Sequence, residues 1–381
     1  MLSEAQQKIS DQRFMAIAVR LAKRGLGTVA PNPAVGAVVV DPSSNEIVAR
    51  GWTQPGGRPH AEPNALQRAG DRAKGATLYV TLEPCSHHGK SPPCVDAILS
   101  AGVARVVCGI EDPDPRVAGR GLARLRDAGV EVLRGIRREA CFHTTLGHIL
   151  RVTERRPLVQ LKMALAADGE VPRGIEGQPH WVTGEDARQR GHLLRAQSDA
   201  ILVGRGTFSD DDPTLTCRLP GLQHRSPSRV VLIGGVDRIP ASARMIGDGG
   251  PGVWWVVGRN RQGGSSTASS DYNIIRVPSV AGRLWLPAVM EALVERGVTR
   301  LLVEGGPTIW RSFDRAGLVD EVVMFLARGG KEPYNRETRS QRLLSGYVER
   351  TPLRMIAHQP LLRDDIFIFH RSGKAHEKKE K

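Results

Sequence analysis

No apolar run in this chain approaches the roughly 18 to 20 residues that a membrane-spanning helix requires, so no such helix and no membrane partner are expected. The amino terminus from Met1 to Asp11 is polar and lacks the hydrophobic core of a secretion signal, which makes the cytoplasm the expected location. Cysteine is scarce: five residues, an odd number scattered through a long chain, do not read as a secreted disulfide framework, and reduced thiols are expected. Aromatic residues make up 4% of the chain, too few for a surface built to stack single-stranded bases. Acidic residues are also in deficit, 40 against 54 Lys and Arg, for a net charge of +14. That excess attracts any polyanion and serves a phosphorylated small molecule as well as a nucleic acid. Part of it lies after Phe369, and residues 373–381 read as a charged, disordered tail.

With 381 residues, 40% of them hydrophobic, the chain is long enough for two cores. Helical spacing of Phe14, Ile17, Ala18 and Leu21 predicts a helix over Gln12 to Lys23, followed by a strand at Val35 to Val40. His60 to Gly70 reads as a helix, Thr77 to Leu82 as a strand, Cys94 to Ala101 as a helix and Arg105 to Ile110 as a buried strand. Gly119 to Ala128 and Val130 to Leu133 add a helix and a strand. Between Gly147 and Pro157 the pattern dissolves into charged residues, which sets a domain boundary near 150. A second alternation follows: strands at Leu158 to Ala164, Ala200 to Val203, Arg229 to Ile233, Val253 to Val257 and Arg300 to Val303, and helices at Glu185 to Ala196, Leu284 to Arg296 and Thr308 to Ala316. Gly263 to Ser270 reads as a surface loop, and no internal repeat is visible. The expectation is an α/β protein of two domains, 1–150 and 151–372, each with helices layered on a sheet.

His60-Ala61-Glu62 begins one predicted helix, and Pro84-Cys85 with Cys94 stands between a strand and the next helix. One imidazole and two thiolates suit a catalytic zinc, which takes three protein ligands and keeps a fourth position for water. Glu62, two residues beyond His60 and not a ligand, is placed to act as the acid and base that such a water needs. Taken singly, these residues read rather as surface and core positions; their joint order, which zinc base deaminases use, reverses that and points to the metal. Cys108, Cys141 and Cys217 lack such a context and read as small apolar residues. Eight residues, Ser86 to Pro93, separate Cys85 from Cys94, a loop bearing two histidines and a lysine that suits a phosphate or polar ring atoms.

Pro31 to Gly36 (P-N-P-A-V-G), H-A-E and T-L-E-P-C-S-H-H-G-K-S-P-P-C together resemble the RibD family, the bifunctional deaminase-reductases of riboflavin biosynthesis. The likeness continues through Asp112-Pro113-Asp114-Pro115, Gly119-Arg120-Gly121, L-L-R-A-Q-S-D-A-I-L-V-G-R-G-T, D-D-P-T-L-T-C-R and V-E-G-G at Val303 to Gly306. It weakens in Gly234 to Arg283 and after Arg328. The resemblance implies a cytidine-deaminase-like α/β/α domain followed by a dihydrofolate-reductase-like α/β domain. It implies deamination of a phosphoribosyl diaminopyrimidinone, then reduction of its ribosyl side chain with NADPH, in a dimer or tetramer. By the same resemblance Asn32, His87, Lys90, Asp112 and Asp114 contact the deaminase substrate. Trp181, Thr207, Asp211 and Gly306 lie along NADPH, and Arg195, Leu215, Arg218 and Glu304 hold the reductase substrate. Lys162 and Asp168 match pocket positions without an assigned role. The chain departs from the family pattern at Thr53, Asp114, Ala166-Ala167-Asp168, Pro179 and Ile233-Gly234.

On its own residues the second domain is harder to name. Gly305 and Gly306 after a strand could cradle a phosphate at a helix amino terminus or merely make a tight turn. Two rival readings remain: a base deaminase acting on RNA with a carboxy-terminal RNA-binding module, and a zinc that is structural, with a fourth ligand such as His87 or His88.

Overall fold

Ser3 caps the first helix, accepting from the Gln6 amide while the Gln6 side chain accepts from the Ser3 amide, a reciprocal pair that starts α1 (Glu4–Gly25) well before the apolar spacing begins. The computed structural model describes residues 3–89, 91–171, 183–234, 239, 242–259, 273–328 and 336–372. Within it the chain divides into two units, Met1–Arg156 and Pro157–Lys381.

In the first unit, β1 (Gly36–Asp41), β2 (Glu46–Trp52), β3 (Thr77–Leu82), β4 (Arg105–Ile110) and β5 (Glu131–Arg134) form one sheet in the order β2-β1-β3-β4-β5. β1 runs antiparallel to β2 and β3, whereas β3, β4 and β5 are parallel. Every residue of β3 is buried, as a strand covered on both faces must be. α1 and α5 (Arg138–Glu154) cover one face, while α2 (Ala61–Ala69), α3 (Cys94–Ser100) and α4 (Arg120–Asp127) cover the other. Gly36 and Gly51 let helices lie against the sheet, because a Cβ at either would stand 2.0 or 2.4 Å from the carbonyl of Ala18 or Ala61.

Two readings need correction. The segment from Gly147 to Glu154, taken as a dissolving pattern, is the second half of the 17-residue helix α5. Its buried residues include Thr144, Thr145, Gly147 and His148, so apolar periodicity could not mark it. The edge strand β2 also escaped the pattern, since its charged and small residues alternate without a clear apolar face.

The second unit contains β6 (Leu158–Leu165), α6 (Glu185–Ala196), β7 (Ala200–Gly204), α7 (Arg205–Asp211), β8 (Ser228–Gly234), β9 (Val253–Gly258) and β10 (Asn273–Val277). There follow the small ribbon of β11 (Ser279–Val280) and β12 (Arg283–Leu284), then α8 (Leu286–Glu295), β13 (Arg300–Val303), α9 (Pro307–Arg315) and β14 (Glu321–Ala327). α10 (Arg336–Ser345), β15 (Leu353–Pro360) and β16 (Asp364–Arg371) complete it. Nine strands share one sheet in the order β10-β9-β8-β7-β13-β6-β14-β16-β15, the first seven parallel and the last two an antiparallel hairpin. Successive residues serve opposite faces: Leu202 packs with α8 and α9 side chains, whereas Ile201 and Val203 join Phe208 and Leu215 on the other side. The chain adds β7, β8, β9 and β10 outward, then returns to insert β13 between β7 and β6. That reversal places the carboxyl ends of β6, β7 and β13 side by side, where open parallel sheets bind ligands. Gly263 to Ser270 and the 373–381 tail lie outside the described residues.

Asp11 fixes α1 to the sheet. Its carboxylate accepts two 2.9 Å bonds from Arg105 on β4, one of 2.7 Å from the Tyr79 hydroxyl on β3, and one from Gln7. Burial would raise the Asp11 pKa, yet the bonds from Arg105, Tyr79 and Gln7 outweigh it and bring it below 3.8. The stabilisation is therefore complete above that value and lost as pH falls through the depressed one. Asp11→Asn is expected to destabilise the first unit by about 2 to 3 kcal/mol at neutral pH, since it leaves Arg105 with only the exposed Glu131 as a charged partner. Urea unfolding of the full chain at neutral pH and near pH 3 checks this, and the gap between variant and parent should narrow in acid.

Candidate metal centre and ligand-binding ends of the sheets

Two helix amino termini and one strand end converge in the first unit. His60 is the N-cap of α2 and its ring makes no capping bond, which leaves it to face the cysteines. Pro63 follows in the first turn, where a missing amide hydrogen costs nothing. Cys94 opens α3, and Cys85 stands three residues beyond β3. His60 Nδ1 lies 3.3 Å from Cys94 Sγ and 3.7 Å from Cys85 Sγ. A tetrahedron with ordinary zinc–nitrogen and zinc–sulfur lengths has an N···S edge of about 3.6 Å, so the donor set fits zinc. Among the described residues these three donors lie within 4.8 Å of one another, with no fourth His, Cys, Asp or Glu in the group. His87 and His88 thus do not close the site, which favours a catalytic over a structural arrangement.

The eight-residue loop between the cysteines is pinched at its neck. The Cys94 amide donates to Cys85 Sγ at 3.3 Å and the Val95 amide to the Cys85 carbonyl at 3.2 Å. A hydrogen bond from Cys94 lowers the Cys85 thiol to about 4 against the opposing effect of burial, with a further bond to His60 helping. Glu62 is 4% exposed, and burial, followed by the Cys85 charge, pushes its pKa up to about 7. Its carboxyl reaches the Cys94 thiol. A carboxyl near neutrality beside such a centre can accept and deliver protons in turn.

Of the deaminase contacts expected from the resemblance, Asn32 lies against Gly57, where a Cβ would stand 2.0 Å from Asn32 Nδ2 and where φ is +83°. The loop carrying Asn32 is held by Thr53, whose hydroxyl accepts from the Val35 amide at 3.0 Å and donates to the Pro33 carbonyl at 3.0 Å. The departure at Thr53 therefore has a structural function of its own. Asp112 and Asp114 are both 7% exposed. Asp112 Oδ1 contacts His148 Nε2 at 3.1 Å and accepts from the Asp114 amide at 2.9 Å. Asp114 is already engaged, its carboxylate gripped by Arg116 and held at about 2 chiefly by that bond. His87 lies in the cysteine loop with a buried, unbonded Nδ1, and Lys90 falls outside the described residues. Thr53, Gly57, Glu83 and His148 received no positive role from the sequence reading, because their contacts, with backbone groups for Thr53 and Glu83 and with the Asn32 and Asp112 side chains for Gly57 and His148, are long-range and encoded by no motif.

In the second unit, Arg195 on α6 turns inward. Nε and one terminal nitrogen donate to Glu304 at 2.8 and 2.9 Å, and the other reaches the Thr216 carbonyl at 3.0 Å. Arg195 is thus no solvated-face residue, and its fork is spent on Glu304 rather than free for a phosphate. Burial alone would raise the Glu304 pKa, but Arg195 overrides it and holds the carboxyl at about 2. Leu215 is buried with φ +56°, an uncommon backbone for a bulky residue, in a segment tethered by Arg195 at Thr216 and by the buried Arg229 at the Thr214 carbonyl. Arg218 is exposed, and its amide donates to His192 Nδ1 at 3.3 Å. At Gly305, φ is +149° and a Cβ would meet Thr207 Oγ1 at 3.2 Å and Ile309 at 3.0 Å. Gly306, the N-cap of α9, has nothing within 4 Å of such a Cβ. Thr207 and the two glycines thus form an open cradle at a helix amino terminus, which fits a cofactor phosphate. Asp211, at the end of α7, is exposed, and Trp181 and Pro179 lie outside the described residues.

Comparison with known proteins covers both units. Residues 8–110 match the cytidine and deoxycytidylate deaminase zinc-binding region, and residues 157–328 match the RibD C-terminal domain. Riboflavin biosynthesis protein RibD of Escherichia coli is 40% identical over 330 residues, covering 84% of this chain and 88% of the relative. The Aquifex aeolicus protein of the same name is 36% identical, covering 83% and 86%. A Thermotoga maritima diaminohydroxyphosphoribosylaminopyrimidine deaminase/5-amino-6-(5-phosphoribosylamino)uracil reductase superposes with a TM-score of 0.79 at 32% identity, over 96% of this chain and all of the other. Acinetobacter baumannii RibD gives 0.79 at 30%, over 96% and 100%. The second half is therefore similar to the RibD C-terminal domain, which does not favour the RNA-acting alternative.

Cys94→Ala is expected to leave a two-donor remnant that keeps less than about a tenth of the zinc after dialysis against a weak chelator. Cys217→Ala, which removes no donor, should keep the parent content of one ion per chain; atomic absorption measures both.

Proposed function

The chain belongs to the RibD family and is a bifunctional deaminase and reductase of riboflavin biosynthesis with zinc and NADPH as cofactors, and from that premise we propose which side chains carry the two reactions. The observation that carries the first assignment is the three-donor cluster with a buried, unligated Glu62 beside it. His60, Cys85 and Cys94 hold the metal, which when bound supplies an activated water at neutral pH. Glu62 would relay both protons of the attacking water, the first to the ring nitrogen and the second to the amine at C2, so that the C–N bond breaks and ammonia leaves as the C2 carbonyl forms. Asn32, His87, Lys90 and Asp112 orient the phosphoribosyl pyrimidinone; Asp114, neutralised by Arg116, shapes the segment that presents Asp112.

For the second reaction NADPH, when bound, supplies hydride to the ring-opened ribosylamine. Thr207, Gly306, Asp211 and Trp181 line its path. Glu304, an anion throughout the neutral range, stabilises the positive charge that an imine gains as it is protonated. Arg195 holds that carboxylate in place, while Leu215 shapes the pocket and Arg218, whose side chain is exposed, takes the substrate phosphate. The reading includes a cytoplasmic homo-oligomer, dimer or tetramer, with a small-molecule substrate and neither nucleic acid nor membrane as partner. Among the described residues no helix is long and apolar enough to cross a membrane.

Incubation with the diaminopyrimidinone ribotide, first without and then with NADPH, separates ammonia release from nicotinamide oxidation. Glu62→Gln should keep its zinc and lose about 100- to 10,000-fold in ammonia release; ammonia at the parent rate would refute the assignment. Glu304→Gln should slow nicotinamide oxidation by at least about tenfold with deamination intact, and a joint loss would contradict two separable sites.

A further inference from the structure

Glu83 ends the run T-L-E that leads from β3 to Pro84 and Cys85, and it is 3% exposed. A buried carboxylate normally finds a cation. Here, among the described residues, no Lys, Arg or His side chain bonds it. It is held by four backbone amides: Oε2 accepts from Asp112 at 3.2 Å and Gly119 at 2.9 Å, and Oε1 from Gly121 at 2.9 Å and Leu122 at 3.2 Å. Gly119 is the N-cap of α4, so the carboxylate also sits at the positive end of that helix.

Those amides belong to two segments that flank the metal ligands: the stretch from Asp112 that follows β4, and α4, which also packs on the Cys94 helix through the Arg124–Asp96 ion pair. Asp112 begins the segment whose side chains bond His148 and the Asp114 amide. α4 meets the ligand strand at Gly121, where a Cβ would stand 2.1 Å from the Pro84 carbonyl. The residue following Pro84 is Cys85. One side chain thus spans from the strand end bearing a thiolate ligand to the segment bearing a substrate contact.

Resting on the reading of this unit as a zinc deaminase, we propose that Glu83 is a positioning residue: it sets Cys85 and the Asp112–Asp114 segment in register with each other. A carboxylate suits this task because both oxygens accept in several directions at once, whereas an amide of the same shape turns one of them into a donor facing two N–H groups. Glu83→Gln keeps the volume and removes the register.

The test uses the full chain with cobalt(II) in place of zinc, whose visible bands report the geometry of the thiolate ligands. Glu83→Gln is expected to shift those bands, to weaken metal retention or ammonia release by about 10- to 100-fold, and to speed hydrogen exchange at Gly119, Gly121 and Leu122. Nicotinamide oxidation with the deaminated ribotide should remain at the parent rate. An unchanged cobalt spectrum overturns the proposal, whether ammonia release is normal or is lost together with thermal stability. If Glu83→Gln yields no folded protein, Gly121→Ala, which presses on the Pro84 carbonyl without altering charge, must shift the same bands, and an unshifted spectrum there counts against the proposal too. A parent protein that shows no thiolate–cobalt bands or releases no ammonia would instead defeat the deaminase reading itself.

Discussion

Two thiols and an imidazole crowded into a buried corner repel or waste their polarity unless a cation sits between them, and the first unit is organised around that requirement. The donors come from three separate elements, the N-cap of α2, the first residue of α3 and the segment after β3. Helix amino termini favour the negative charge of the thiolates. The same burial that makes the cluster demand a metal raises Glu62 to about 7, so ligand geometry and proton transfer share one cause. Much of the surrounding architecture serves to hold these elements still: Glu83 collects amides from α4, Thr53 fixes the loop of Asn32, and Asp11 locks α1 to the sheet.

The second unit meets a different demand. Under the proposed mechanism its ligands carry phosphate and its chemistry passes through a protonated imine, which calls for an anion that remains ionised while buried. Arg195 keeps Glu304 ionised, with its fork occupied by the carboxylate and by the Thr216 carbonyl. The insertion of β13 between β6 and β7 makes the pair possible, since it places Glu304 at a strand end next to Arg195 on α6.

Most strands and helices of regular period were legible in the sequence, as was the metal cluster, because H-A-E and the paired cysteines state donor chemistry directly. What escaped in the first unit had a common physical cause. α5 buries threonines, a glycine and the histidine that meets Asp112, and β2 is an edge strand with charged residues, so neither shows the apolar repeat on which pattern reading depends. In the second unit α7, β10 to β12, β14 to β16 and α10 were not read from the sequence at all, although β14 is a continuous buried apolar run. Glu83 could be quoted as part of a motif and Gly57 not even that, and neither could be given a task until the amides and the side chain they face were placed.

The central claim is that three protein donors hold a zinc whose fourth position is left to solvent beside an unligated carboxyl. Anomalous diffraction at the zinc edge from crystals of the holoenzyme tests it most directly. The account predicts one peak bonded to His60 Nδ1, Cys85 Sγ and Cys94 Sγ, with Glu62 within hydrogen-bonding reach of a solvent ligand and not on the metal. A fourth protein ligand, or a peak at other residues, would contradict it.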